Sequence, residues 1–179
     1  FNFFEVNQVH KANLASIQKC SSQKTLINAD GIFANNKDLF LGPIGIKTAD
    51  CLPIFIEGDK GIALVHAGWR GLHQKILSNI EIQKIIPKSA YLGPAICVDC
   101  YEVSDEFKEY FPSTHSFKIM GASLHFDVKK EAIKQLIKLF PNITVSQSHD
   151  CTKCIAELHS FRENKTTERN YTIFTPKKS

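Results

Sequence analysis

Apolar positions along the chain fall into short runs separated by turn residues. Gly31-Ile32-Phe33-Ala34 and the stretch Phe40 to Ile46 read as short strands, with a turn at Asn35-Asn36-Lys37. Leu52 to Ile56 and Ile62 to Val65, bounded by Gly58 and Gly68, predict strands buried on both faces. Leu72, Ile76 and Ile80 recur every fourth residue and predict a helix after Gly71. Ala90 to Ile96 predicts a strand broken by Gly93-Pro94. Ser104 predicts the cap of a helix with Asp105 and Glu106 in its first turn and Phe107, Tyr110 and Phe111 as apolar contacts. Asp127 predicts a second cap, with Ala132, Ile133, Leu136, Ile137 and Phe140 toward the core. Asn142 to Ser146 and Asn170 to Phe174 read as late strands, and Phe4, Val6 and Val9 as an extended start. Strands and helices interleave, yet hairpin turns are frequent. That combination predicts an α+β fold with mixed sheets rather than a doubly wound parallel one.

Composition narrows the class. A chain of 179 residues, 43% hydrophobic and with thirteen Phe, is expected to form one domain over residues 1–179. A domain of that size buries about two-thirds of its unfolded surface, which excludes disorder and a disulfide scaffold. The net charge is +4, and part of the excess lies in the tail at Lys165, Arg169, Lys177 and Lys178, so no nucleic-acid partner is implied. No apolar run approaches the roughly 20 residues of a spanning helix, so no membrane partner is expected. Two C-x-x-C pairs, Cys97/Cys100 and Cys151/Cys154, point to a reducing compartment, and the cytoplasm is the expected location. The pairs lie 50 residues apart. Zinc ribbons space theirs by about 15–20, so the four read as free thiols before a Cys₄ zinc site. Neither pair follows a strand and opens a helix, as a dithiol redox motif requires.

The sharpest local inference concerns Asp50 to Gly71. Gly58-Asp59 fits a two-residue hairpin loop, which pairs Glu57 with Lys60 and places Cys51 opposite His66 on one face. A thiolate and an imidazole so placed can share a metal or act as nucleophile and base. Asp50, Trp69 and Arg70 flank the pair, and Arg70 stands at the expected helix start, where a cation beside free N–H groups makes an anion site.

Several segments resemble the YfiH, or laccase-domain, family from about Asn7 to Phe174. They are Asn7-Gln8-Val9-His10, Ala29-Asp30-Gly31, Thr48-Ala49-Asp50-Cys51-Leu52-Pro53, His66-Ala67-Gly68-Trp69-Arg70-Gly71, Gly93-Pro94-Ala95-Ile96 and Cys100-Tyr101-Glu102-Val103. The resemblance implies a layered sandwich of mixed β-sheets flanked by helices and a zinc site of His10, Cys51 and His66. It also implies a purine nucleoside enzyme, with phosphorolysis of adenosine, inosine, guanosine and methylthioadenosine and with adenosine deamination. Purine nucleosides and phosphate are then the small-molecule partners. Family members carry further residues before the Gln-Val-His motif, so this chain, opening at Phe1, is expected to lack N-terminal residues. It departs from the family at Lys11, where Gly is common. Asp99-Cys100 replaces Cys-Cys, with the extra cysteine at Cys97, and Thr167-Glu168-Arg169 replaces Thr-Gly-Arg.

Two neutral imidazoles and one thiolate leave a zinc ion with an open position, the pattern of catalytic rather than structural sites. Phosphorolysis also needs an anion site, for which Arg70, Lys47 and Arg162 are the candidates, with Asp50 as a further substrate contact. Arg162 lies in His159-Ser160-Phe161-Arg162, which resembles the family's Ser-Tyr-Arg segment. Two alternatives use the same residues. Cys51 with His66 as base would make an amide hydrolase, and copper in the His₂Cys set would make a polyphenol oxidase. His73, His115, His125, His149 and His159 are scattered, so copper is expected only as an adventitious substitute. Of these, His115 and His125 read as loop residues, and His149 and His159 as candidates for the pocket wall.

Overall fold

The computed structural model describes residues 3–22, 25–36, 38 and 42–176. In chain order its strands are β1 (Ala15–Ser16), β2 (Gly31–Asn35), β3 (Ile44–Thr48), β4 (Leu52–Gly58), β5 (Gly61–Ala67), β6 (Pro87–Leu92), β7 (Glu102–Val103), β8 (Phe117–Met120), β9 (Ser123–Phe126), β10 (Thr144–Gln147) and β11 (Asn170–Phe174). The helices are α1 (Ile17–Ser22), α2 (Trp69–His73), α3 (Ile80–Lys84), α4 (Phe107–Tyr110), α5 (Val128–Leu139) and α6 (Phe161–Asn164).

The central sheet runs β1-β2-β5-β4-β6-β10. Its inner neighbours are antiparallel, and the edge strands β1 and β10 pair parallel. An antiparallel ribbon of β3 and β11 covers one face, and β7-β9-β8 form a third sheet. Strand β5 is buried along its whole length, as its unbroken apolar run requires. Alternate side chains split between two cores. Ile62 and Leu64 pack with Ile32, Ile44 and Ile46 toward the ribbon. Ala63, Val65 and Ala67 pack with Leu72, Phe126 and Leu136 on the other face. The fold is α+β, a layered arrangement of mixed sheets with helices.

The β4–β5 register differs from the expected one by two residues. Pro53 lies opposite His66 and Gly58 opposite Gly61, so the loop is Asp59-Lys60. Backbone contacts at the turn explain the shift. Asp59 N–H donates to the Ile86 carbonyl at 3.2 Å and Lys60 N–H to the Ile85 carbonyl at 3.0 Å. Gly61 has φ +157°, and a Cβ there would sit 2.2 Å from the Ala34 carbonyl oxygen, so the last paired position demands glycine. A shift of two preserves the face, so Cys51 and His66 still project to the same side.

The four-residue spacing after Gly71 does not make one helix. Chain 69–84 breaks into α2, a 3₁₀ turn at Ile76–Ser78 and α3, because Lys75 takes left-handed φ 63° and Asn79 caps α3 through Glu81 N–H. Ile80 is consequently exposed. Ser104 contributes its carbonyl, not its side chain, to the start of α4. Asp127 caps α5 by accepting from Lys130 N–H at 2.9 Å, as expected, although Ile137 faces solvent. The strand expected from Phe40 to Ile46 begins at Ile44, with Phe40 and Leu41 outside the described residues, as is Lys37 of the expected turn. The β8–β9 hairpin was not expected. It takes His125 out of a loop and buries it, with Nδ1 2.9 Å from the Val98 carbonyl. Among the described residues no helix is long and apolar enough to cross a membrane.

One buried carboxylate ties α5 to the segment before β8. Glu131 accepts from Ser116 Oγ at 2.6 Å and Gln135 Nε2 at 2.8 Å, with Lys134 Nζ at 3.2 Å. Burial opposes its charge, but these donors hold its pKa below the ordinary value. A carboxylate depressed on folding stabilises above its unfolded pKa, and the benefit is lost as pH falls through the folded value. Glu131→Ala is expected to cost about 1–3 kcal/mol, since it strands buried donors. The urea midpoint at neutral pH checks this, and the deficit should shrink under acid conditions.

Candidate active site

The site assembles at the end of β5, on the ribbon side of the sheet. Gln8 fastens the N-terminal segment there. Its side-chain amide donates to the Lys47 carbonyl at 2.7 Å and accepts from Lys47 N–H at 2.8 Å, which mimics a strand pairing against β3. The chain then turns sharply at His10, whose φ is 58°. Asp30, fully buried just before β2, holds that turn by accepting from His10 N–H at 2.8 Å and Lys11 N–H at 2.7 Å.

The same carboxylate lies 3.0 Å from His66 Nδ1. A carboxylate only accepts, so Nδ1 donates to Asp30, and Nε2 is the ring nitrogen left to interact with Cys51 or, once it loses its proton, with a metal. Cys51 sits just before β4, opposite Gly68. A Cβ on Gly68 would lie 2.9 Å from Cys51 Sγ, so only glycine leaves the sulfur its place. The rings of His10 and His66 meet edge to face at 4.8 Å and 89°. One ligand atom each from His10, Cys51 and His66 lie within 4.8 Å of one another.

Electrostatics couple the three. Burial opposes the Cys51 thiolate, but His10 and His66 outweigh it and bring the thiol down to about 6. Burial likewise opposes a charged His66, while Asp30 and Cys51 raise it to about 9. Thiolate and imidazolium thus form a buried pair that a bound cation would replace. Two imidazoles and a thiolate, with a carboxylate behind one imidazole, are a donor set that fits a thiophilic transition metal. Asp30→Asn is expected to weaken metal binding by about 10–100-fold. Competition with a chromogenic chelator measures that change, with the wild-type fold retained by circular dichroism.

These groups open into a cavity of about 690 Å³. Its walls include Arg70, Trp69, Tyr101, Lys47, Asp50 and Arg162, so all the residues expected for substrate contact border the same space. Their engagement differs. Lys47 Nζ is 2.6 Å from Glu5 Oε2. Asp50, at φ 91°, accepts from Thr152 Oγ1 at 2.7 Å and Arg162 N–H at 2.6 Å. Arg162 donates Nη1 to the Glu102 carbonyl at 2.8 Å and stacks 5.1 Å over Tyr101. Among the described residues Arg70 forms no ion pair, and its guanidinium lies 4.6 Å over the Trp69 ring. It is the second residue of α2, a five-residue helix too short for the expected anion site of helix N–H groups. Its own guanidinium remains. Burial raises the Tyr101 hydroxyl pKa, so that hydroxyl stays protonated at neutral pH.

Sequence reasoning gave Asp30 no role, and it missed Tyr101, Gln8 and Arg169 as parts of the site. Asp30 stood in a quoted motif beside Gly31, but its function depends on contacts to three partners distant in sequence. Of the remaining histidines, His159 lies 3.3 Å from Glu168 and His73 packs on Tyr110. His149 borders a separate cleft.

A His₂Cys donor set that could hold a metal therefore stands beside a cationic, aromatic-walled cavity. The chain belongs to the family described as multi-copper polyphenol oxidoreductase laccase, whose model matches residues 2–175. A purine nucleoside phosphorylase from Aquifex aeolicus (strain VF5) is 36% identical over 151 residues, 82% of this chain and 70% of that protein. An adenosine deaminase, RL5, from an unknown prokaryotic organism is 31% identical over 129 residues, 62% of this chain and 48% of that protein. The matched segment therefore spans less than half of the deaminase's length. The crystal structure of the hypothetical protein YfiH of Bacillus licheniformis superposes with TM-score 0.83 at 20% identity, covering 98% of this chain and 74% of that one, and shares the fold.

Proposed function

We propose that this chain is a zinc-dependent purine nucleoside enzyme that cleaves adenosine, inosine, guanosine and methylthioadenosine with phosphate and deaminates adenosine. One observation carries the reading: His10, Cys51 and His66 converge at a cavity that is also bordered by Arg70 and by the aromatic walls of Trp69 and Tyr101. The names of the Aquifex relative and of the RL5 deaminase supply the substrate class.

His10, Cys51 and His66 would hold the metal, which when bound supplies Lewis acidity next to the substrate. Asp30 fixes the His66 tautomer and the His10 turn. In phosphorolysis a phosphate oxygen bonds to C1′ as the C1′–N9 bond breaks, and the purine takes the electron pair. Arg70, whose guanidinium lies over the Trp69 ring, would bind that phosphate with its planar fork. The protonated Tyr101 Oη offers a donor to the purine or sugar. Asp50 positions Arg162 by accepting from its backbone N–H and is itself held by Thr152, with acceptor capacity left on both oxygens for a substrate hydroxyl.

The test is product analysis with zinc-loaded protein. Inosine should give hypoxanthine and ribose 1-phosphate only when phosphate is present, and adenosine should give inosine without it. Release of neither base nor ammonia would overturn the proposal. Amide hydrolysis by metal-free protein would favour the cysteine–histidine reading instead.

A further inference from the structure

The fold brings together the two C-x-x-C pairs that their spacing had set apart. Cys97, Cys100, Cys151 and Cys154 offer sulfurs that all lie within 4.8 Å of one another. Cys100 Sγ and Cys154 Sγ are 3.4 Å apart, and none of the four is disulfide-bonded. A tetrahedron of sulfurs at about 2.3 Å from a central zinc has edges of about 3.8 Å, so the observed spread brackets that figure.

The backbone builds the arrangement. Ala95 and Cys151 form an isolated parallel bridge, with Ala95 N–H donating to the Asp150 carbonyl at 3.4 Å and Thr152 N–H to the Ala95 carbonyl at 3.2 Å. Each pair then closes its own tight turn, Cys100 N–H onto the Cys97 carbonyl and Cys154 N–H onto the Cys151 carbonyl, both at 3.1 Å. The Cys97 N–H donates to Cys151 Sγ at 3.2 Å, the kind of contact that offsets thiolate charge. Lys129, whose Nζ donates to the Ser148 carbonyl at 2.6 Å, lines the cleft that Cys97 also borders and places a cation beside the cluster.

We propose that these four cysteines hold a second, structural metal ion, a thiophilic divalent cation in tetrahedral thiolate coordination, with zinc the expected occupant. Four protein ligands leave no open position, which separates this site from the His₂Cys site. The ion ties together the turns that follow β6 and β10, fifty residues apart in sequence, and so extends the β6–β10 pairing past the Ala95–Cys151 bridge. It also fixes the turn carrying Thr152, whose hydroxyl holds Asp50 next to Cys51. The cluster thus braces the floor of the cavity without touching substrate, whatever reaction that cavity performs.

Metal content per chain tests this on the reduced, full-length protein loaded with zinc alone. The wild type should hold two ions, Cys51→Ala one, and Cys100→Ser/Cys154→Ser one. The double variant should also lose about 10 °C or more in Tm. Where that variant fails to fold, cobalt-loaded Cys51→Ala keeps the proposal testable: it should show the intense visible bands of tetrahedral thiolate coordination. Overturning results are one ion in the wild type and none in Cys51→Ala, absence of those cobalt bands, or isolation of the four cysteines as stable disulfides from cells.

Discussion

Replacing Cys51 with alanine should abolish turnover while leaving the fold intact. Cys51 precedes β4, and the fully buried Leu52, Ile54 and Ile56 that anchor the strand do not depend on its sulfur. Losing the only anionic ligand should release the metal of the His10–Cys51–His66 site, and Lewis-acid assistance is worth several kcal/mol, on the order of 10³-fold in rate. The checks are kcat/KM for phosphorolysis and deamination, metal content, and Tm. Both activities should fall together, with Tm changed little. A variant that retains activity would show that Cys51 is neither ligand nor nucleophile. A variant that unfolds would show that the ion there is structural.

Arg70→Ala should instead divide the two reactions. Its guanidinium borders the cavity and lies over Trp69, which packs in turn on Phe107 and Tyr110. Phosphorolysis develops charge between phosphate and sugar, and loss of one cation costs roughly 2–4 kcal/mol in kcat/KM, or about 30- to 10³-fold. Deamination consumes water and needs no phosphate, so it should fall far less. Arg70→Lys keeps the charge but not the planar fork and should recover only part of the loss. Equal losses in both reactions would mean that Arg70 supports the Trp69 wall rather than the phosphate.

The parts of this site that the sequence disclosed are those set by parity and local chemistry. Cys51 and His66 share a face because strand side chains alternate, and a hairpin slipped by two residues keeps that parity. The register itself was not legible, because the turn is chosen by the carbonyls of Ile85 and Ile86 and by the crowding of Gly61 against Ala34, all distant contacts. The helix after Gly71 was overestimated for a similar reason. Leu72 and Ile76 are buried as the four-residue spacing demands, but Lys75 turns left-handed between them and sends Ile80 to solvent. Asp30 and the four-cysteine cluster depend on chain segments that meet only in the folded state. The β8–β9 hairpin does carry a local signal, since Phe117 and Ile119 pair with Phe126 and Leu124 around Lys118 and His125, with Gly121 at φ 61° in the turn, but each strand is only four residues long.

His10, Cys51 and His66 are expected to hold one metal ion at the wall of the cavity. Anomalous scattering at the zinc edge from crystals of zinc-loaded protein measures it directly. A peak is expected about 2.0–2.3 Å from Cys51 Sγ, His66 Nε2 and a ring nitrogen of His10, separate from any peak among Cys97, Cys100, Cys151 and Cys154. Fully loaded crystals with no peak between those three side chains would contradict it.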